Sequence, residues 1–334
     1  MQGPVLVTGA GGFLGRHLVQ ELLQRGHSVR ALVRPDSESV ASPLPPLSSL
    51  GVDVRTGDLC QPDSLAGLAE GCAAIIHAAA RAEVNPARNP AVWATNLGGT
   101  EAVLQLARQA GVGRFVYVGT ANVFGFGSRL HPGDETRPYA GQRYGLDYMD
   151  SKRAATHRVL QAVSEWHLPA VLVHPTFMLG PGDAKPTSNA LLLELCRGKL
   201  PGYPAGGKNY VHVRDVAVTT VNALTRGRVG ESYILGNENL SYREAFALMA
   251  RLMGVRPPVR PIPAPLARLY GATCDVQARL TGRLGQLNAA MAAVANDGHY
   301  FSVQKAHTEL GLPQTELEKA IIEAFHWFKA QGYV

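Results

Sequence analysis

The chain of 334 residues predicts an α/β fold: a doubly wound parallel sheet with a smaller, mostly helical C-terminal region. Three observations predict it. Short apolar runs alternate with segments of helical periodicity throughout the first half. A glycine-rich turn stands between the first run and the first helix. The second half loses the alternation and carries two helix-capping patterns and a proline-rich connector. Strands separated by helices call for parallel pairing. Strands that are apolar at every position fit a sheet covered on both faces.

The elements follow in order. Val5, Leu6 and Val7 make the first strand. Phe13–Gln24 has Leu14, Leu18 and Leu22 at helical spacing. Strands are expected over 28–33, 52–56, 73–77 and 115–118. Between them, residues 35–46 are rich in proline and serine and read as a surface loop, 64–70 as a short helix, and 92–109 as one long helix. In the second half, 148–163 reads as a helix, 170–173 as a strand, 180–183 as a loop and 189–196 as a helix. Residues 210–213 and 233–235 are further strands, with a helix over 215–224 between them. Ser241 with Glu244, and Thr315 with Glu318, are capping boxes that open helices. Gly254 and Gly311 stand where helices stop, and 257–265, with four prolines, is a connector.

Composition excludes several classes. Hydrophobic residues are 46% and charged residues 17%, a globular balance. The net charge of +6 is scattered, with no dense basic run, so no nucleic-acid partner is expected. Cys60, Cys72, Cys196 and Cys274 have neither CxxC nor zinc spacing, which predicts reduced thiols and no metal. No charged segment precedes a long apolar one at the start, and the longest apolar candidate, 287–295, is too short to span a bilayer. No signal peptide and no membrane partner are expected, and the location predicted is cytoplasmic.

The turn Thr8-Gly9-Ala10-Gly11-Gly12-Phe13-Leu14-Gly15 follows a strand and opens a helix. Gly9 suits the tight turn, Gly12 lets backbone approach a pyrophosphate, and Gly15 lets the helix lie close on the sheet. The helix start, with Phe13 and Leu14, offers N–H groups to the anion. This predicts a Rossmann-type dinucleotide site. Arg34 is the first residue past the second strand, placed to pair with a 2′-phosphate, so NADP(H) is favoured over NAD(H). Asp36 is the rival, since a longer strand would carry an acid to the ribose. Asp58 and Leu59 fall beside the adenine, although Asp58 reads equally well as a helix N-terminal acid ahead of Pro62. Ala78, Ala79 and Ala80 end the fourth strand, small enough for a cofactor to cross.

Tyr148 and Lys152 stand four apart on one helical face. Tyrosine titrates near 10, and an adjacent ammonium favours its phenolate. The spacing alone is cheap; its position after the fifth strand gives it weight. Thr120 follows that strand, at the sheet edge where ligands bind, with a hydroxyl suited to a substrate oxygen.

Together these residues resemble the extended short-chain dehydrogenase/reductase family over nearly the whole chain. The TGxxGxxG turn, Asp58-Leu59, His77 to Ala80, Asn96, Thr120 in the segment 118–125, YxxxK at Tyr148 and Lys152, and the run from His174-Pro175-Thr176 to Gly180-Pro181-Gly182 match in order. Gly119, Phe124 and His174 depart from the usual Ser, Tyr and Arg. Within the family, Arg34, the segment 175–183 and Lys185-Pro-Thr-Ser188 are most similar to the dihydroflavonol 4-reductase-like group. The resemblance implies hydride transfer with Tyr148 as acid/base, Lys152 lowering its pKa and holding ribose, and Thr120 polarising the carbonyl. Pro175, Thr176 and Phe177 would flank the nicotinamide. Arg81, Asn122 and Phe177 are the substrate-side candidates.

The expected division is a dinucleotide-binding domain over 1–176, with segments near 208–235 returning to it, and a substrate-binding region over 177–207 and 236–334. The expected function is NADPH-dependent reduction of a ketone or aldehyde by a monomer or homodimer. The alternatives are a nucleotide-sugar epimerase or dehydratase, a 3β-hydroxysteroid dehydrogenase-like enzyme, and a non-catalytic NADP sensor.

Overall fold

The computed structural model describes residues 2–35, 44–283 and 287–334. Asp36 and most of the 35–46 loop lie outside the described residues. The strands are β1 (Val5–Thr8), β2 (Val29–Val33), β3 (Asp53–Thr56), β4 (Ala74–His77), β5 (Arg114–Val118), β6 (Ala170–Pro175), β7 (Phe177–Leu179), β8 (Gly207–His212), β9 (Ser232–Leu235), β10 (Glu238–Ser241) and β11 (Gly298–His299). The α-helices are α1 (Phe13–Gln24), α2 (Pro90–Trp93), α3 (Gly99–Ala110), α4 (Asp147–Trp166), α5 (Ala190–Cys196), α6 (Val213–Asn222), α7 (Tyr242–Met253), α8 (Ala264–Thr281), α9 (Ala289–Asn296), α10 (Gln304–Leu310) and α11 (Leu317–Ala330).

Seven of the described strands form one sheet in the order β3-β2-β1-β4-β5-β6-β9, every pair parallel. Side-chain alternation divides its core in two. Val5, Val7, Ile76, Val116 and Val173 face one way, with Leu18 and Leu22 of α1 and Val216 of α6. Leu6, Ile75, Phe115, Tyr117 and Leu172 face the other, with Val103 of α3 and Val159 of α4. Each such side chain contributes about 1.5–3 kcal/mol by leaving water. The strand order reverses between β1 and β4, and this opens a crevice at their carboxyl ends.

The strand that carries Tyr210 does not return to this sheet. β8 centres a second, four-stranded sheet: β10 pairs antiparallel on one edge, while β11 and β7 pair parallel with its beginning and end. β9, with Tyr233, does join the large sheet.

Three local expectations are corrected. Residues 64–70 form no α-helix; a 3-10 turn at Pro62–Leu65 is followed by further turns. The single helix over 92–109 is interrupted by a π turn at Ala94–Gly98. That wide turn holds buried Asn96, whose side chain accepts from the Arg81 N–H at 2.8 Å and donates to Ser151 Oγ at 3.0 Å. The C-terminal helix has no capping box. Asp215 takes the Thr315 N–H and hydroxyl, each at 2.8 Å, and Glu238 accepts from the Leu317 N–H at 3.1 Å. Tertiary carboxylates thus do what a local cap was expected to do. The box at Ser241 and Glu244 does form, and Gly254 and Gly311 end their helices left-handed at φ 70° and 66°.

Candidate active site

The first turn is built for close backbone approach. Gly9 has φ 71°, and a Cβ there would stand 2.7 Å from the Ala79 Cα. At Gly15 a Cβ would collide with the Gly9 carbonyl oxygen. Gly11 and Gly12 are exposed. α1 starts beside Gly12 with no side-chain cap and no acidic residue in its first turn, where Phe13 and Leu14 stand. Uncapped N–H groups at a positive helix end suit an anion such as a pyrophosphate. The donor set therefore fits a dinucleotide.

The two sides of the crevice are tied together by buried polar groups. Thr8 Oγ1 lies 2.7 Å from His77 Nδ1 and accepts from the Ala79 N–H at 3.3 Å. His77 Nε2 lies 3.0 Å from Thr100 Oγ1, which donates to the Asn96 carbonyl at 2.6 Å. Burial pushes His77 down to about 3, so it stays neutral. Ala78 and Ala79 are half-buried at this lip and Ala80 is exposed. Asp58 Oδ1 accepts from the Cys60 N–H at 2.9 Å, a local turn bond, and Leu59 is buried against Gly99. Arg34 is exposed just past β2.

The three residues expected to handle protons stand just past β5 and in the first turns of α4. Thr120 is buried, and its side chain lies near enough to Tyr148 to favour the phenolate. It also accepts from the Asn122 N–H at 3.4 Å. Lys152 donates from Nζ to the Val118 carbonyl at 2.7 Å and lies over the Tyr117 ring, 4.6 Å from its centre. Burial raises the pKa of Tyr148, opposed by the neighbouring Thr120 side chain, and lowers Lys152 to about 7.

The departures from the family motif compensate one another. A Cβ on Gly119 would collide with His174 Nδ1, and Phe124 meets the His174 ring edge-on at 4.8 Å. The missing side chain at 119 makes room for the histidine at 174. His174 is fully buried, pushed down to about 3 by that burial, with Nε2 3.2 Å from Ser232 Oγ.

A small cleft, open to solvent, lies beside Thr120. It is lined by Asn122, Pro175 and Thr176 and, from the second sheet and its neighbours, by Phe177, Lys208, Asn209, His299 and Phe301. Of the substrate-side candidates, Asn122 and Phe177 are here. Arg81 is not; it lies toward Glu83, with Nε 3.6 Å from Oε1. His299, Asn209 and Phe301 were missed. His299 pairs in register with Lys208, a neighbourhood that appears only once β11 is docked on β8. The Lys208 ammonium stands 5.4 Å from the centre of the Phe177 ring and is lowered to about 8 by burial. Among the described residues no group of three or more His, Cys, Asp or Glu could hold a metal.

A parallel sheet with a glycine turn at its switch point, and a Thr–Tyr–Lys set at the adjoining edge, defines a nicotinamide-dinucleotide oxidoreductase of the extended short-chain type. The chain belongs to the NAD dependent epimerase/dehydratase family, whose model matches residues 5–236. It is 32% identical to a Synechocystis sp. protein provisionally named a dihydroflavonol 4-reductase, over 98% of this chain and 95% of the relative. Among solved structures it is similar to gox2253 (TM-score 0.85, 32% identity, 99% of both chains). It also resembles PA4631 of Pseudomonas aeruginosa, titled a nucleoside-diphosphate-sugar epimerase (TM-score 0.80, 25% identity, 100% and 99% of the two chains). Its relatives carry the names of reductases, 3 beta-hydroxysteroid dehydrogenases and epimerases.

Proposed function

We propose that this protein is an NADPH-dependent reductase of a ketone or aldehyde. The observation that carries the proposal is Thr120 at the edge of a cleft with its side chain beside Tyr148, and Lys152 one turn further along α4. When bound, the dinucleotide supplies the hydride. Tyr148 donates the proton to the carbonyl oxygen, and Thr120 hydrogen-bonds that oxygen as its charge develops. Lys152, once protonated beside an anionic ligand, holds ribose hydroxyls and favours the phenolate that Tyr148 becomes. Arg34 pairs with the 2′-phosphate, Gly9 to Gly15 cradle the pyrophosphate, and Pro175 to Phe177 flank the nicotinamide. Asp58 and Leu59 meet the adenine.

A second reading, a nucleotide-sugar epimerase or dehydratase, draws its support from Lys208, an ammonium in the cleft that would suit a phosphate. An NADPH-consumption screen across aldehydes, ketones, hydroxysteroids and sugar nucleotides separates the two. Oxidation of NADPH with simple carbonyl compounds is the expected result. Turnover of sugar nucleotides alone, without net cofactor use, contradicts it.

A further inference from the structure

Five of the ten large apolar side chains exposed among the described residues sit on one helix: Leu266, Leu269, Tyr270, Val276 and Leu280 of α8, between 54% and 82% exposed. At 100° per residue they fall within about 120° of one another, a single stripe along the helix. The opposite face is the one that packs. Gly271 lies so close to α9 that a Cβ would stand 2.8 Å from the Ala289 Cα, and Cys274 is buried beside it. Asp275, the one acidic residue of the helix, is spent on that inner side, accepting from the Ala289 N–H at 3.1 Å. The stripe is therefore not a misread core face; the helix already has its core.

The charge around the stripe has one sign. Arg268 and Arg279 run along one side of it on the helix, Arg283 follows, and Arg256 and Arg260 precede it. All five are exposed and, among the described residues, none has an ion-pair partner. An apolar stripe bordered by arginines and free of outward acids matches an anionic bilayer surface. The apolar side chains enter the acyl boundary while guanidinium groups reach phosphates at headgroup depth. A second copy of the chain would bring arginines against arginines on at least part of such a contact.

We propose that α8 is an interfacial helix that seats the enzyme on anionic membrane surfaces. It lies on the bilayer and does not cross it: no described helix is long and apolar enough to span. The proposal is independent of which carbonyl is reduced, because it rests on the outer face of α8 alone.

The test is co-sedimentation of the intact protein with phosphatidylcholine vesicles, with and without phosphatidylglycerol. Binding to the anionic vesicles, weak on the neutral ones and reduced by salt, is expected. Leu269→Glu with Leu280→Glu should abolish it, and Arg268→Gln with Arg279→Gln should weaken it about fivefold per arginine removed. Circular dichroism and cofactor binding of each variant, unchanged, exclude misfolding as the cause. Absence of binding to anionic vesicles overturns the proposal. So does a concentration-dependent dimer that the Leu269→Glu, Leu280→Glu variant dissociates while vesicle binding persists.

Discussion

The two sheets divide the labour unequally. The seven-stranded sheet is buried on both faces and presents backbone to the ligand: Gly9, the start of α1, and the small residues after β4. The four-stranded sheet presents side chains: Phe177 on β7, Lys208 on β8, His299 on β11. Backbone N–H groups and dipoles recognise what every dinucleotide shares. Side chains on a separate sheet can change without disturbing that recognition, and we therefore propose that substrate preference belongs to the second region. Thr120, at the end of β5, shares its cleft with the second sheet, while Lys152 reaches back to Val118 and Tyr117 of the first.

The comparison can be broken at several points. The largest effect is expected at Tyr148. Tyr148→Phe should lower turnover by about 10²–10⁴-fold while leaving NADPH affinity, read by fluorescence titration, unchanged; surviving turnover would move the acid elsewhere. Next comes Arg34→Asp. Losing a charge-assisted contact should weaken NADPH about tenfold to a hundredfold with NADH spared. Equal weakening of both cofactors would remove Arg34 from the 2′-phosphate. A smaller change is expected on the second sheet. Lys208→Met should raise KM about tenfold for carbonyl compounds bearing an acid and leave neutral ones and cofactor affinity alone. An altered cofactor Kd would collapse the distinction between the two sheets.

The smallest effect is on stability. Lys152 has its pKa lowered by burial from 10.5 to about 7. Between those values the unfolded chain binds more protons than the folded one, so this group's contribution to stability rises with pH from about 7 to 10.5. Below pH 7 the fold carries a buried ammonium. Lys152→Met should therefore raise the melting temperature most near pH 6, with the gain shrinking by pH 9. A gain that grows with pH would contradict the burial argument.

What could be read in advance follows the same division. The large sheet was legible because most of its strands carry their own apolar run, as in β1, β4 and β6, and α1 and α4 their own period. The glycine turn was legible because strand, turn and helix are consecutive. Thr120, Tyr148 and Lys152 could be joined because strand order predicts which loops share an edge. The second sheet was not legible. β7, β10 and β11 are two to four residues long, and they are strands only because β8 offers partners. His299 reaches Thr120's cleft through pairing with Lys208, ninety-odd residues away in the chain, which no local pattern encodes. The cap at Leu317 failed for the same reason, since its carboxylate comes from Glu238.

The central claim is that hydride passes from a consumed cofactor to a carbonyl at the Thr120–Tyr148–Lys152 edge. It is tested most directly by supplying NADPH deuterated at the transferable nicotinamide position together with a carbonyl substrate found by screening. The account predicts one NADPH oxidised per alcohol formed, with deuterium on the new carbinol carbon. An epimerised or dehydrated product with no net oxidation of the cofactor would contradict it.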